Sequence, residues 1–175
     1  MTGTFLYYER AVDRTMLVVI SAIAPEQANP TNTTMKIVKK FLNYAASHQY
    51  EIVTHHPSDM TLACHSYALY LSKTKAISRV GGNFFLSEND KTLRKNGAVL
   101  NIYQIIKVVM ALSAEAEIGA MHLNAHEPVQ KIIPIVEMGH PQPRTPMQNN
   151  NLAAYLAVTN NIQPIITKAM DMNFH

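Results

Sequence analysis

Apolar and polar positions alternate at helical spacing in the first 48 residues. The apolar stripe of one such segment falls at Met35, Val38, Leu42 and Ala45. Its lysines lie away from that stripe, as on a solvated face. Thr31 or Asn32 can cap this helix, because either side chain can accept a hydrogen bond from a free backbone N–H. The apolar run Met16–Ala24 predicts a buried helix or strand. Residues 1–48 are therefore predicted to form a helical appendage.

After Tyr50 the pattern changes to short apolar runs separated by turn residues, which is typical of β-strands. Strands are predicted at Glu51–His55, Met60–Ser66, Val80–Leu86 and near Thr145–Gln148. Ser113–His126 has the spacing of a helix, and another helix is predicted from Leu152. Strands followed by a long helix, and then by a strand and a helix again, predict an α/β or α+β sheet domain.

The stretch between Ala98 and Ala125 fits two structures. Ile102, Ile105, Ile106 and Val109 recur at the spacing of one long helix. Val99–Ile102, however, also has the composition of a strand. Periodicity alone leaves the two structures open.

Composition narrows the class of protein. Hydrophobic residues make up 47% of the 175 residues and charged residues 15%, so a globular protein is expected. The net charge of +3 permits a nucleic-acid partner without requiring one. The longest apolar run is far shorter than the ~20 residues that a membrane span needs, and no basic region precedes it as in a signal peptide. With a single cysteine, Cys64, an intracellular protein with no membrane partner is expected rather than a secreted one.

Several stretches resemble, in order, the polymerase tail and RNase H domain of copia-type LTR retrotransposons. They are Phe5–Asp13 with Met35–Tyr44, His65–Tyr70 with Ser78–Leu86, Ser113–Ala120, Met147–Asn151 and Thr167–Met172. The last three are similar to the family's Ser-(Thr/Ala)-Glu-Ala-Glu helix, its Thr-Asp-Asn strand end and its Thr-Lys-x-(Ile/Met)-Asp motif. Gly97 through Glu117 matches the third strand and central helix without a gap. This match predicts that Val99–Ile102 is a strand and that the helix begins by about Lys107 to Ser113.

The resemblance implies a mixed α/β fold of the RNase H-like type, with a five-stranded mixed sheet and flanking helices. It divides the chain into residues 1–48, a helical remnant of the reverse transcriptase thumb or connection region, and residues 49–175, an RNase H-like domain truncated at its last helix. Enzymes of this family hydrolyse RNA in RNA–DNA hybrids with two Mg²⁺ ions, which four acidic residues hold. Carboxylates suit Mg²⁺ because they are hard oxygen ligands that offset its charge.

This sequence departs from the family at two of those four acidic positions. Tyr67 stands at the first-strand Asp and Asn150 at the fourth-strand Asp, whereas Glu117 and Asp171 keep their carboxylates. A neutral phenol and a neutral amide add no charge, so two ions would face two carboxylates instead of four. We therefore expect a degenerate, inactive ribonuclease without tightly bound Mg²⁺. Any metal would be held weakly, by Glu117, Asp171 and Asn150.

Two alternatives remain open beside the inactive transposon fragment. One is a residual Mg²⁺- or Mn²⁺-dependent ribonuclease that uses Glu117, Asp171 and Asn150. The other is a domesticated nucleic-acid-binding or scaffold module. An RNA–DNA hybrid or another nucleic acid is the expected partner, bound weakly. In every case Tyr67, Glu117, Asn150 and Asp171 are predicted to converge in space.

Other residues have simpler interpretations. His122 and His126 are four residues apart on a predicted helix and could present two imidazoles to zinc. No third ligand is evident in the sequence, so a solvent-facing position is preferred. Glu115 is interpreted as a surface acid, and Cys64 as a small apolar residue of a core strand.

Overall fold

A computed structural model describes residues 2–73, 77–90 and 93–159 of the chain. These residues form a mixed α/β protein with five α-helices and one four-stranded mixed sheet. The helices are α1 (Thr2–Ala11), α2 (Leu17–Ile23), α3 (Asn32–Ser47), α4 (Ser113–Glu137) and α5 (Leu152–Thr159). The strands are β1 (Thr61–Lys73), β2 (Ile77–Ser87), β3 (Ala98–Ile105) and β4 (Met147–Gln148). None of the described helices is both long enough and apolar enough to cross a membrane.

The N-terminal segment is helical, as its apolar spacing predicts. Thr31 caps α3: its side chain accepts a hydrogen bond from the Thr34 N–H, and the Thr34 hydroxyl accepts one from the Thr31 N–H. Phe41 of α3 packs with buried apolar residues of α2 and of the turn before it. The run Met16–Ala24, which the sequence left open between helix and strand, is helical.

The strands lie in the order β3-β2-β1-β4. The pairs β1–β2 and β2–β3 are antiparallel, whereas β1 and β4 are parallel. The chain therefore leaves one edge of the sheet at β3, crosses the sheet as α4 and returns at the opposite edge as β4. This crossover brings the first turns of α4 close to the edge where β1 meets β4.

Alternate residues of each strand face opposite layers, as the pleat requires. One face packs against α4 and includes Leu62, Cys64, Val80, Phe84 and Ile102. The other face lies under α1 and α2. There the buried Arg79 donates a hydrogen bond to the Ser21 hydroxyl, 2.6 Å away. Cys64 is confirmed as a core residue, and burial raises the pKa of its thiol to about 12.

The prediction for Val99–Ile102 is confirmed, since β3 spans Ala98–Ile105 and α4 begins only at Ser113. The helical spacing of the isoleucines was misleading. Ile102 and Ile106 are buried, but Ile105 is 42% exposed, which fits a period of two and not of 3.6.

One strand prediction needs correction, since Glu51–His55 is not a strand. The described residues contain four strands, so the fifth strand of the expected sheet stays a prediction. Directly after this segment a side chain, not a neighbouring strand, satisfies the backbone of His56. Asn96 accepts the His56 N–H through Oδ1 and donates to the His56 carbonyl through Nδ2.

Candidate functional site

Glu117 lies on the second turn of α4 and is 8% exposed. Its Oε2 atom accepts two hydrogen bonds, from the Ala68 N–H and from the Asn149 Nδ2 amide, each at 2.9 Å. The carboxylate is thereby fixed between β1 and the residue that follows β4. One oxygen of Glu117 therefore links β1 to the residue directly after β4.

The short length of β4 explains why a side chain reaches the backbone of β1. Along this edge, the Leu62 N–H donates to Gln142 Oε1 at 2.9 Å and the Cys64 N–H donates to the Pro146 carbonyl at 3.0 Å. Parallel pairing with β4 ends at His65–Gln148. Ala68 lies beyond that point, so its N–H needs another acceptor. Glu117 supplies it.

Asn149 and Asn151 hold the backbone at Asn150. Asn149 Oδ1 accepts the Asn151 N–H at 2.7 Å, and Asn151 Oδ1 accepts the Ala154 N–H at 3.0 Å, which caps α5. The Asn150 side chain is exposed. The amide that contacts Glu117 therefore belongs to Asn149, one residue before the predicted site residue.

The Tyr67 side chain points away from Glu117. Residue 67 lies opposite Gly81 in the register of β1 and β2, and its ring covers that glycine. The ring also faces the layer of α1 and α2, whereas Glu117 belongs to the layer of α4. Burial, followed by the nearby Tyr103, raises the pKa of the Tyr67 phenol, and Arg14 opposes this shift. The phenol is therefore neutral near pH 7.

The fold thus brings three of the four predicted positions to one edge of the sheet. Glu117 contacts the immediate neighbours of Tyr67 and Asn150, namely Ala68 and Asn149. Asp171 lies outside the described residues. Convergence of all four residues stays a prediction.

The described part of this site does not fit a centre with two Mg²⁺ ions. Among residues 2–73, 77–90 and 93–159, no group of three or more His, Cys, Asp or Glu side chains could hold a metal ion. Glu117 supplies one carboxylate, and one of its two oxygens already accepts two N–H donors. Hard divalent ions need several oxygen ligands with offsetting charge.

A cleft of about 270 Å³ lies on the opposite face of the sheet, beneath the segment that leads into α2. Tyr67 and His65 form part of its wall, and Arg14 and Lys95 stand at its border. Burial, followed by Lys95, lowers the pKa of His65, and Glu117 opposes that effect. None of the described residues that line the cleft is acidic. The cleft is therefore a polar, electropositive space with aromatic walls.

Sequence reasoning missed three residues around the site. Glu115 is not a surface acid: it is 4% exposed, and its Oε2 accepts the Ala111 and Leu112 N–H groups before α4. Asn124 is fully buried and donates to the Ser66 hydroxyl and the Gly81 carbonyl. Its position two helical turns after Glu117 was a usable signal, since residues seven apart share one helix face. Asn149 could have been found only from the geometry of the strand end.

Fold and site together define a mixed α/β protein with a carboxylate buried at the junction of its two parallel strands. Comparisons of the chain with known protein families, with curated proteins and with solved structures find no match.

Proposed function

We propose that this chain is a degenerate RNase H-like fragment of copia-type retrotransposon origin, which does not cleave RNA–DNA hybrids. The state of Glu117 carries the proposal. This carboxylate acts as a structural acceptor for Ala68 and Asn149, and the two other positions where the resemblance expects carboxylates hold Tyr67 and Asn150.

The order of elements supports the family origin. The resemblance expects three strands, a central helix that carries the glutamate, and a fourth strand that ends at the second aspartate position. The described chain has β1, β2, β3, α4 and β4 in that order, with β4 parallel to β1. The gapless match of Gly97 to Glu117 agrees with the observed bounds of β3 and α4.

Charge explains why such a site would be inactive. Two Mg²⁺ ions that clamp a transferring phosphate are worth several kcal/mol of transition-state stabilisation, and about 1.4 kcal/mol corresponds to tenfold in rate. With half of the four carboxylates absent, the ions lack both ligands and counter-charge. Loss of the ions lowers turnover below detection.

The test is cleavage of a labelled RNA strand annealed to DNA, in Mg²⁺ and in Mn²⁺. We expect no cleavage by the unaltered chain and little by Tyr67→Asp or Asn150→Asp alone. The double variant should recover part of the activity, because it restores both missing charges. Adding Glu117→Gln to the double variant is the matched control and should abolish that recovery. Metal-dependent cleavage by the unaltered chain, lost in Glu117→Gln, would instead establish the residual ribonuclease.

A second candidate function is nucleic-acid binding without catalysis, and the cleft beneath α2 favours it. Arg14 and Lys95 place two cations near the rings of Tyr67 and His65. Cations bind phosphates, and aromatic rings stack on bases in single-stranded segments. A site of this kind would retain weak affinity even without metal ligands.

Binding of a labelled hybrid at several salt concentrations tests this candidate. The Arg14→Gln, Lys95→Gln double variant should bind more weakly and show a salt slope reduced by about 2, since each phosphate contact contributes roughly one. Lys36→Gln with Lys39→Gln, on exposed positions of α3, removes the same charge elsewhere. If both double variants lower the affinity for the hybrid equally, the cleft is not a specific binding site and binding comes from general electrostatic attraction. Duplex DNA measured in parallel shows whether the hybrid is preferred.

A further inference from the structure

Two exposed histidines converge on the surface of α4, outside the site described above. His122 and His126 are one helical turn apart, and their Nε2 atoms are 3.4 Å from each other. The ring centroids are farther apart, at 4.9 Å. The two nitrogen-bearing edges therefore lean toward each other.

The separation of the nitrogens can be compared with the needs of particular metal ions. At a Zn–N distance of about 2.0–2.1 Å and a tetrahedral angle, two imidazole nitrogens on one ion lie about 3.3–3.4 Å apart. A tetragonal Cu²⁺ ion with two neighbouring nitrogens at right angles would need about 2.8 Å at the same bond length. The two nitrogens lie 3.4 Å apart in a hydrogen bond between the rings, and this separation agrees with the tetrahedral case once a metal ion replaces the shared proton.

The location also leaves room for the other ligands of such an ion. Both side chains are exposed. His122 borders an open groove of about 430 Å³ between α4 and α5, which Asn149 and Thr159 also line. The described residues offer no third His, Cys, Asp or Glu ligand. Both imidazoles face solvent, so water is available as a further ligand, as in zinc sites that keep open coordination.

We propose that His122 and His126 form a two-histidine chelate for Zn²⁺ on α4, with water completing a tetrahedral shell. This inference is independent of the proposed function, since neither histidine contacts Glu117 in the described hydrogen bonds. The helix holds both ligands at the required spacing, so binding the second imidazole is an intramolecular step that strengthens the first.

The experiment is calorimetric titration of the metal-free full chain with ZnCl₂ at neutral pH. We expect one Zn²⁺ per chain and a rise in the thermal unfolding midpoint when Zn²⁺ is added, because the ion binds the folded helix. His122→Gln and His126→Gln should each weaken binding by at least about tenfold, because either change removes the chelate. The midpoints of both variants are measured without metal as well, so that a structural effect of either change is separated from loss of the chelate.

His55→Gln with His56→Gln is the matched control. It also removes two exposed imidazoles, but these follow each other in a segment without regular structure. Zn²⁺ binding that survives this double change and is lost in His126→Gln supports the chelate. Absence of Zn²⁺ binding in the unaltered chain, or equal loss in the control and in His126→Gln, would overturn it. The proposal would also be overturned if the unaltered chain bound Cu²⁺ more tightly than Zn²⁺ and the His126→Gln variant kept its Zn²⁺ binding unchanged.

Discussion

Tyr67 fits into the sheet only because Gly81, directly opposite on β2, has no side chain. A Cβ atom at residue 81 would collide with the ring of Tyr67. Gly82 has the same relation to the buried Asn124 on the other face. The two adjacent glycines thus serve opposite layers of the molecule, one accepting an aromatic ring and the other an amide. The sequence shows the glycine pair but not which side chains need the space.

Gly81→Ala is expected to destabilise the protein by about 1–3 kcal/mol, because the added methyl overpacks the contact with Tyr67. In a Tyr67→Ala background the same change should cost much less, because the ring is gone. The measurement is urea unfolding of the four proteins of this double-mutant cycle. Gly3→Ala, where no atom lies within 4 Å of the added Cβ, is the control and should not destabilise. Additive costs at residues 67 and 81 would refute the contact.

At the scale of elements, the strands and helices that show clear apolar periodicity were predictable. The spacing of the isoleucines suggested one long helix, whereas the gapless match of Gly97 to Glu117 with the family suggested a strand and then a helix. The match assigned β3 and the start of α4 correctly. Glu51–His55 was not predictable, because its apolar character resembles a strand but no partner strand lies beside it. Strand pairing is a property of the whole sheet, so local pattern alone cannot decide it.

The helix α4 also continues through two prolines that its sequence suggests would disturb it. Pro128 is buried and Pro134 is exposed. A proline inside a helix removes one backbone hydrogen bond and crowds the preceding turn, at a cost of about 3 kcal/mol. Packing of α4 across the sheet offsets this cost, through buried residues such as Ala116, Ala120 and Ile135.

Pro134→Ala should therefore stabilise the protein by about 1–3 kcal/mol, since it restores the helix bond and removes no buried group. Pro128→Ala should gain less or lose stability, because the buried ring contributes packing that alanine cannot replace. Thermal unfolding of both variants against the unaltered chain gives the comparison. A larger gain at residue 128 than at residue 134 would show that burial does not decide the effect.

At the scale of the whole molecule, helices cover the sheet on both faces. The helices α1 and α2, on the N-terminal side, enclose ionisable side chains. Glu9 and Asp13 are almost fully buried, as is Arg79 beneath α2. In the described part of the chain, neither carboxylate oxygen of Glu9 has a hydrogen-bond partner. A sequence cannot reveal this burial, because Glu9 becomes enclosed only when α1 packs against β3. Contacts such as the hydrogen bond from Asn101 to the Arg10 carbonyl join these elements.

Glu9 should make the stability of the molecule depend on pH. Burial, followed by the charge of Asp13, raises the pKa of Glu9 from 4.5 to about 7. Between those pH values the unfolded chain has lost this proton while the folded chain keeps it. The folded state then binds more protons, so the free energy of unfolding falls as pH rises from about 4.5 to about 7 and then levels off. At most about 3 kcal/mol is involved, at 1.36 kcal/mol per pH unit.

Glu9→Gln removes this dependence, because a neutral amide has no proton to lose. The variant should be more stable than the unaltered chain above pH 7, and this advantage should vanish toward pH 4.5. Urea unfolding across that range measures the difference between the two proteins.

The lowered pKa of His65 acts in the opposite direction, but it is present in both proteins and cancels in the comparison. Repeating the comparison in an Asp13→Asn background should leave most of the effect, since burial is its larger cause. The difference in stability between the two proteins could instead stay constant with pH. That result would show that burial does not raise the pKa of Glu9.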